Sequence, residues 1–338
     1  MHHKHVKLLA RTLGIKFLST SEKYLGTPLF VNRDKTKTFQ FLIDKFYSRL
    51  SNCKKTNLNV AGRTVVTKHV LSSLAVYHMS SFLFPKNITS KIDSIQRTFW
   101  WSKKDPRRAA YYRSWGDIGK SKLNGGLGIK NSFATNRVFI AKIGWRLYKN
   151  TDHLVSKFFK DKYYPNQNLL EIDKAVNSAS WTWKGIVKGL IIFFIKLMMN
   201  ISLITSLFSQ DVVNKILALR INTSKHDTVM WAHTRNGIFT IKSAYKVYMN
   251  ESITPEDASF WKKVWSLDCL PKIKFFMWNF FAYMLSVNSL LMLYNPAVDD
   301  SCPLCKNESE TVMHLFFKCP MVVHIWFALS LQHLVVGI

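Results

Sequence analysis

A chain of 338 residues, 48% of them hydrophobic, can bury cores for two or three domains, which excludes a wholly disordered tail. Forty-eight Lys and Arg against 20 Asp and Glu leave a formal charge of +28, and residues 1–150 hold 29 of the basic groups against only 6 acids. An excess of that size, interleaved with 11 Trp, 12 Tyr and 24 Phe, favours a polyanionic partner, RNA or DNA ahead of an anionic membrane.

In chain order, residues 1–22 read as an amino-terminal tail, in which Arg11 follows Leu8-Leu9-Ala10 before a secretory apolar region can build. Tyr24-Leu25-Gly26-Thr27-Pro28-Leu29 predicts a short extended piece with a turn. Phe39, Leu42, Ile43, Phe46 and Leu50 recur on one helical face. A second amphipathic helix is expected from about Ala61, burying Val65, Val66, Leu71, Leu74 and Ala75, until Pro85 ends the unit. Asn87 is placed to cap a third helix whose Ile88, Ile92, Ile95 and Phe99 share one face. Three such helices with basic outer faces would make an all-α module.

Gly125-Gly126-Leu127-Gly128-Ile129 lacks both a preceding apolar strand and phosphate-loop spacing, so a tight turn is expected there. Phe139, Ile140, Ile143 and Leu147 mark another helix. The most apolar window, 186–208, is interrupted by Lys188, Lys196 and Asn200. It falls short of the roughly 20 apolar residues of a membrane span, so a buried segment is expected, with no membrane partner. Gly237 to Tyr245 predicts a short strand or turn entering a helix, and Pro255-Glu256-Asp257 a loop. Trp261 and Trp265 form a helical pair, Pro271 opens a helix with Phe275, Phe276, Trp278 and Phe280, and a shorter helix surrounds Leu290.

The strongest signal comes next. Cys302-Pro303-Leu304-Cys305 is followed by His314 and Cys319 in the spacing C-x2-C-x8-H-x4-C. Three thiols and one imidazole are the donors of a closed tetrahedral zinc site. Residues 310–318 read as a short helix that presents His314 and delivers Cys319, stopped by Pro320; His324 reads as a helix-surface histidine. Four protein ligands leave no open position, so the zinc would stabilise a fold instead of activating water. With three of the five cysteines so used, no disulfide framework remains, and a reducing, intracellular location follows.

Taken in order, Tyr24–Leu29, Ala61-Gly62-Arg63, Ile95 through Trp101, Gly125–Ile129, Gly237–Tyr245, Trp261–Trp265, Pro271-Lys272-Ile273-Lys274 and the cysteine–histidine quartet carry a resemblance. The chain resembles the carboxy-terminal part of the reverse transcriptase polyprotein of plant non-LTR (LINE-type) retrotransposons, with its reverse transcriptase zinc-binding domain. The resemblance implies a mainly α chain: a basic helical module followed by a helical zinc-binding domain with a small CCHC zinc site. After the tail at 1–22, it places the thumb-like end of a reverse transcriptase at 23–110 and a helical connector at 111–185. A degenerate apolar segment and linker follow at 186–238, the zinc-binding domain at 239–326 and a carboxy-terminal tail at 327–338.

Members of that family are RNA-directed DNA polymerases whose magnesium-binding aspartates lie ahead of the matching region. Val298-Asp299-Asp300 lacks the aromatic and the apolar strands of that signature and is expected to be a solvated loop. No catalytic residue is therefore expected, and the chain reads as a truncated, non-enzymatic remnant that binds zinc and nucleic acid, in the nucleus ahead of the cytoplasm. Lys54, Lys55, Arg63, Lys103, Lys104, Arg107 and Arg108 are the candidate phosphate contacts. The alternatives are a structural or protein-interaction zinc module, or a fragment acting with a polymerase in trans.

Overall fold

The structure, a computed structural model, describes residues 9–14, 22–51, 58–101, 111–190, 209–217, 229–250 and 253–335. It is mainly α, and the one named sheet among the described residues is a hairpin. Strand β1 (Lys23–Tyr24) pairs antiparallel with β2 (Thr27–Pro28). Between them Leu25 and Gly26 both take positive φ, 50° and 79°, as the tightest hairpin turn requires.

Helix α1 (Lys35–Ser51) starts where Asp34 Oδ1 accepts the amides of Thr36 and Lys37. It buries Phe39, Leu42, Ile43, Phe46 and Leu50 as their spacing predicts, at about 1.5–3 kcal/mol for each full burial. Helix α2 (Val60–Val65) runs straight into a π turn, Val66–Leu71. Here the expected face is corrected: Val65 is exposed, Val66 and Leu74 are half-buried, and Thr64 and Thr67 take the inner positions beside Leu71 and Ala75. Burial of the threonines is tolerated because their hydroxyls donate to the carbonyls of Val60 and Arg63, each at 2.8 Å.

After α3 (Val76–Met79), helix α4 (Lys86–Trp100) buries Ile88, Ile92, Ile95 and Phe99. Asn87 does not cap it. The residue already lies in the first turn and donates its amide to Thr36 Oγ1 at 2.8 Å, while the Pro85 carbonyl accepts from Ile88 and Thr89. Helices α5 (Trp115–Gly119), α6 (Ser132–Lys149), α7 (Leu154–Tyr163), α8 (Trp181–Leu190) and α9 (Gln210–Leu217) follow. Of the apolar window only its first residues are described; there Ile186, Val187 and Leu190 are buried in α8. Among the described residues no helix is long and apolar enough to cross a membrane.

Helix α10 (Ile241–Met249) is capped by Thr240, and α11 (Pro255–Ser266) by Thr254, whose hydroxyl accepts the Asp257 amide at 3.1 Å. Pro255-Glu256-Asp257 is thus a first helical turn and not the expected loop: Pro suits the N1 position, and both acids complement the positive end of the helix. Helices α12 (Pro271–Phe281), α13 (Asn288–Met292) and α14 (Pro320–Ala328) complete the set.

The chain divides into two compact units, each discontinuous in sequence: residues 1–49, 71–94 and 131–251, and residues 50–70, 95–130 and 252–338. In the first, Trp183 is stacked by Tyr163 at 4.8 Å and Tyr164 at 5.4 Å, inside a cluster with Leu147, Leu169 and Ile186. Buried Asn136 on α6 accepts from the Phe84 amide and donates to the carbonyls of Met79 and Phe82, satisfying a non-helical stretch.

The second unit is built on Trp100, Trp261 and Trp278 with Ile118, Leu127 and Ile129. Its glycine cluster is a tight turn: Gly125 and Gly128 sit at φ 67° and 69°, and a Cβ on Gly126 would lie 2.1 Å from the Lys120 carbonyl. That turn presents carbonyls instead of amides. Gly125 O accepts the Trp278 indole at 3.0 Å and Leu127 O accepts the Lys68 ammonium at 2.8 Å.

Candidate metal centre

The quartet lies in the second unit, on a knuckle closed by an antiparallel bridge between Ser301 and Ser309. Within it the Cys302 amide donates to Glu308 O at 2.7 Å and the Lys306 amide to Cys302 O at 2.8 Å. Lys306 takes φ 58°, which turns the chain back under the two sulfurs. His314 opens a π turn, His314–Lys318, whose Cys319 amide reaches the His314 carbonyl at 2.7 Å. This five-residue reach, not an α turn, brings Cys319 beside the histidine, and Pro320 then serves as N1 of α14.

The knuckle is fastened to helices. Buried Glu310 accepts the Asn288 amide at 2.8 Å at the start of α13, and Ser289 Oγ donates to its carbonyl. On the other flank Phe316 packs on Phe276 and Phe280 of α12, with ring centroids 5.8 and 5.4 Å apart. The Trp326 indole of α14 donates to Phe316 O at 2.8 Å. Asp299 and Asp300 serve the same turn by accepting from Ser301 and Ser309.

One donor atom from each of Cys302, Cys305, His314 and Cys319 lies within 4.8 Å of all the others. Cys302 and Cys319 Sγ are 3.9 Å apart, and Cys305 Sγ is 3.2 Å from His314 Nε2. Two sulfurs on a tetrahedral zinc with 2.3 Å bonds stand about 3.8 Å apart, so the donor set has the composition and scale of a structural zinc site. Cys302 and Cys319 are fully buried, His314 nearly so, and Cys305 partly exposed.

Sequence reasoning missed one partner. The other ring nitrogen, His314 Nδ1, donates to Glu308 Oε2 at 2.9 Å, which leaves Nε2 with its lone pair toward the thiols. The signal for it was only chemical: a ligating histidine needs an acceptor for its second nitrogen, and Glu308 lies between Cys305 and His314.

Electrostatics favour deprotonation at one sulfur. The Asn307 amide, helped against burial by the Glu308 amide and His314, brings the Cys305 thiol down to about 7. Burial pushes the Cys319 thiol up, with backbone amides opposing it. Burial also works against a charged His314, but its hydrogen bonds to Cys305 and Cys302 outweigh that and raise its pKa. His324 stands exposed on α14, its Nδ1 on the Pro320 carbonyl at 2.6 Å.

Of the candidate phosphate contacts, Lys54, Lys55, Lys103, Lys104, Arg107 and Arg108 lie outside the described residues. Arg63 is described, and its guanidinium is tied to the fold: Nε donates to Trp100 O and Nη1 to Leu58 O, both at 2.7 Å. Burial lowers its pKa.

Residues 239–326 match the family model described as zinc-binding in reverse transcriptase. The chain is similar to a putative ribonuclease H protein of Arabidopsis thaliana, 24% identical over 88% of this chain, and it spans 57% of that relative's length. It is also similar to an uncharacterized mitochondrial protein of the same plant, 30% identical over 35% of this chain and 76% of that relative.

Proposed function

We propose, for a chain that belongs to the retrotransposon-derived proteins carrying the reverse transcriptase zinc-binding domain, that its zinc is structural and that its basic half binds nucleic acid. The observation that carries the reading is the closed Cys3His quartet with Glu308 behind the histidine. In this account Cys302, Cys305, His314 and Cys319 are the zinc ligands, they hold α12, α13 and α14 about the knuckle, and no fourth position is left for water. Residues 23–110 act as the thumb-like end of a reverse transcriptase and 239–326 as the zinc-binding domain, with no catalytic residue assigned to either. The three free thiols of the quartet suit a reducing, intracellular setting.

The charge of +23 within residues 1–150 supports polyanion binding. Because Arg63 is held by two carbonyls, the phosphate contacts fall to Lys54, Lys55, Lys103, Lys104, Arg107 and Arg108. A salt titration of RNA and DNA binding tests this. Each phosphate neutralised on duplex DNA contributes about −0.9 to the log–log slope, so a steep negative slope is expected; a slope near zero would remove nucleic acid from the account.

A second reading has its own observation. Helix α14 exposes Met321, Val323, Ile325 and Phe327, more apolar surface than a solvated helix normally carries, which favours a protein-interaction module. A flat salt response, joined with concentration-dependent association that Phe327→Asp abolishes, would favour it over nucleic-acid binding.

A further inference from the structure

Within the first unit, the end of α6, helix α7 and the loop 164–169 line a half-open cavity of about 470 Å³ that the zinc and polyanion readings leave unused. Its floor is formed by Leu147, Tyr164 and Leu169, all buried, together with Ser156 on α7. Ser156 is 4% exposed and Tyr164 6%, and neither hydroxyl has a hydrogen-bond partner among the described residues. Their oxygens are open and not sealed in, so each is free to bond a molecule that enters the cavity. Tyr164 is not free to turn away, because its ring is stacked at 9° on the buried Trp183.

The rim differs from the floor. Asn166, Gln167 and Asn168 are exposed there, and Asn168 Oδ1 accepts the Leu170 amide at 3.1 Å, which fixes that amide with its NH2 available. Lys160 contributes the one cation of the lining and makes no ion pair among the described residues. An apolar, aromatic floor with hydroxyls, a rim of carboxamides and a single ammonium group matches a planar heterocycle with donors and acceptors on its edge and one attached phosphate. The volume lies within the range of small-ligand sites and is too small for a duplex.

We propose that this cavity takes one nucleotide: the base edge meets Ser156, Tyr164 and the carboxamides of 166–168, and the phosphate meets Lys160. This goes beyond polyanion binding, since it concerns other residues and a monomeric ligand. The nucleotide comes either free or as an unstacked unit of a single strand.

The test is calorimetric titration of the full, zinc-loaded chain with the four 5′-ribonucleoside monophosphates, ribose 5-phosphate and a trinucleotide. Saturable one-to-one binding of at least one monophosphate is expected, with ribose 5-phosphate weaker by about tenfold or more. Ser156→Ala combined with Tyr164→Phe should weaken binding by about tenfold or more, while the ligand-free melting temperature stays level, because the lost hydroxyls bond no protein group among the described residues. A structural role for them would lower it. A trinucleotide that binds more tightly than the monomers points to a strand, and a weaker one to a free nucleotide. No saturable binding at millimolar ligand, equal binding of ribose 5-phosphate, or a double variant that binds normally or melts early would overturn the proposal. None of these results bears on the salt slope.

Discussion

Glu308 accepts the Nδ1–H of His314 at 2.9 Å, which sets the imidazole so that Nε2 faces the sulfurs of the quartet. The carboxylate itself is largely exposed, so it orients a ligand without being buried for the purpose. Glu308→Gln keeps an acceptor but removes its charge, and zinc affinity should fall by about 10–100-fold. Competition with a chromophoric chelator measures this, and the variant should refold at saturating zinc. Unchanged affinity would assign Glu308 to the turn alone.

Cys305 should be the first of the quartet to react in metal-free protein. Its thiol is brought down to about 7 by the Asn307 amide and is partly exposed, whereas burial raises Cys319. Brief alkylation near neutral pH, read by peptide mass spectrometry, should label Cys305 ahead of Cys302 and Cys319. Zinc should suppress all three.

Removing the metal, or replacing Cys305 by Ser, should loosen the second unit locally. Zinc binding is worth about 10–16 kcal/mol in isolated zinc-finger peptides. Less should be lost here, since Phe276, Phe280 and Phe316 still pack without it. Hydrogen exchange should show protection vanishing at α13 and the π turn 314–318 while α6 and α8 keep theirs.

Asp93 supplies a pH signature elsewhere. Its carboxylate accepts the Ser132 amide at 3.1 Å and the Asn131 side chain at 3.2 Å, at the start of α6. Burial, opposed by the Ser132 hydrogen bonds, pushes its pKa up to about 6. The folded chain therefore binds this proton more tightly than the unfolded one. The resulting penalty is absent below about pH 4, grows as pH rises and is complete above about 6, reaching about 3 kcal/mol. Asp93→Asn should thus gain stability relative to the parent across that window; a pH-independent difference in urea midpoints would contradict this.

What the sequence revealed follows from the reach of each interaction. The faces of α1 and α4 were legible because helical periodicity alone places Phe39 to Leu50 and Ile88 to Phe99. The zinc quartet was legible because its donors lie within 18 residues of one another. Val65 misled because two threonines with satisfied hydroxyls took the inner positions that apolarity assigned to valines. Arg63 looked like a surface charge, yet beside the nearby Leu58 carbonyl its guanidinium bonds that of Trp100, 37 residues away, which only tertiary packing sets in place. The bond from Trp278 to Gly125 spans 153 residues, and no local pattern announces it. The same holds for units that each draw on three separate stretches of chain.

Zinc K-edge X-ray absorption on the purified full chain, with metal content measured in parallel, tests the central claim most directly. One zinc per chain is expected, with three sulfurs at about 2.3 Å and one nitrogen at 2.0–2.1 Å, and a nitrogen or oxygen replacing one sulfur in Cys319→Ser. A shell dominated by oxygen, or a metal content that the four ligand substitutions leave unchanged, would contradict it.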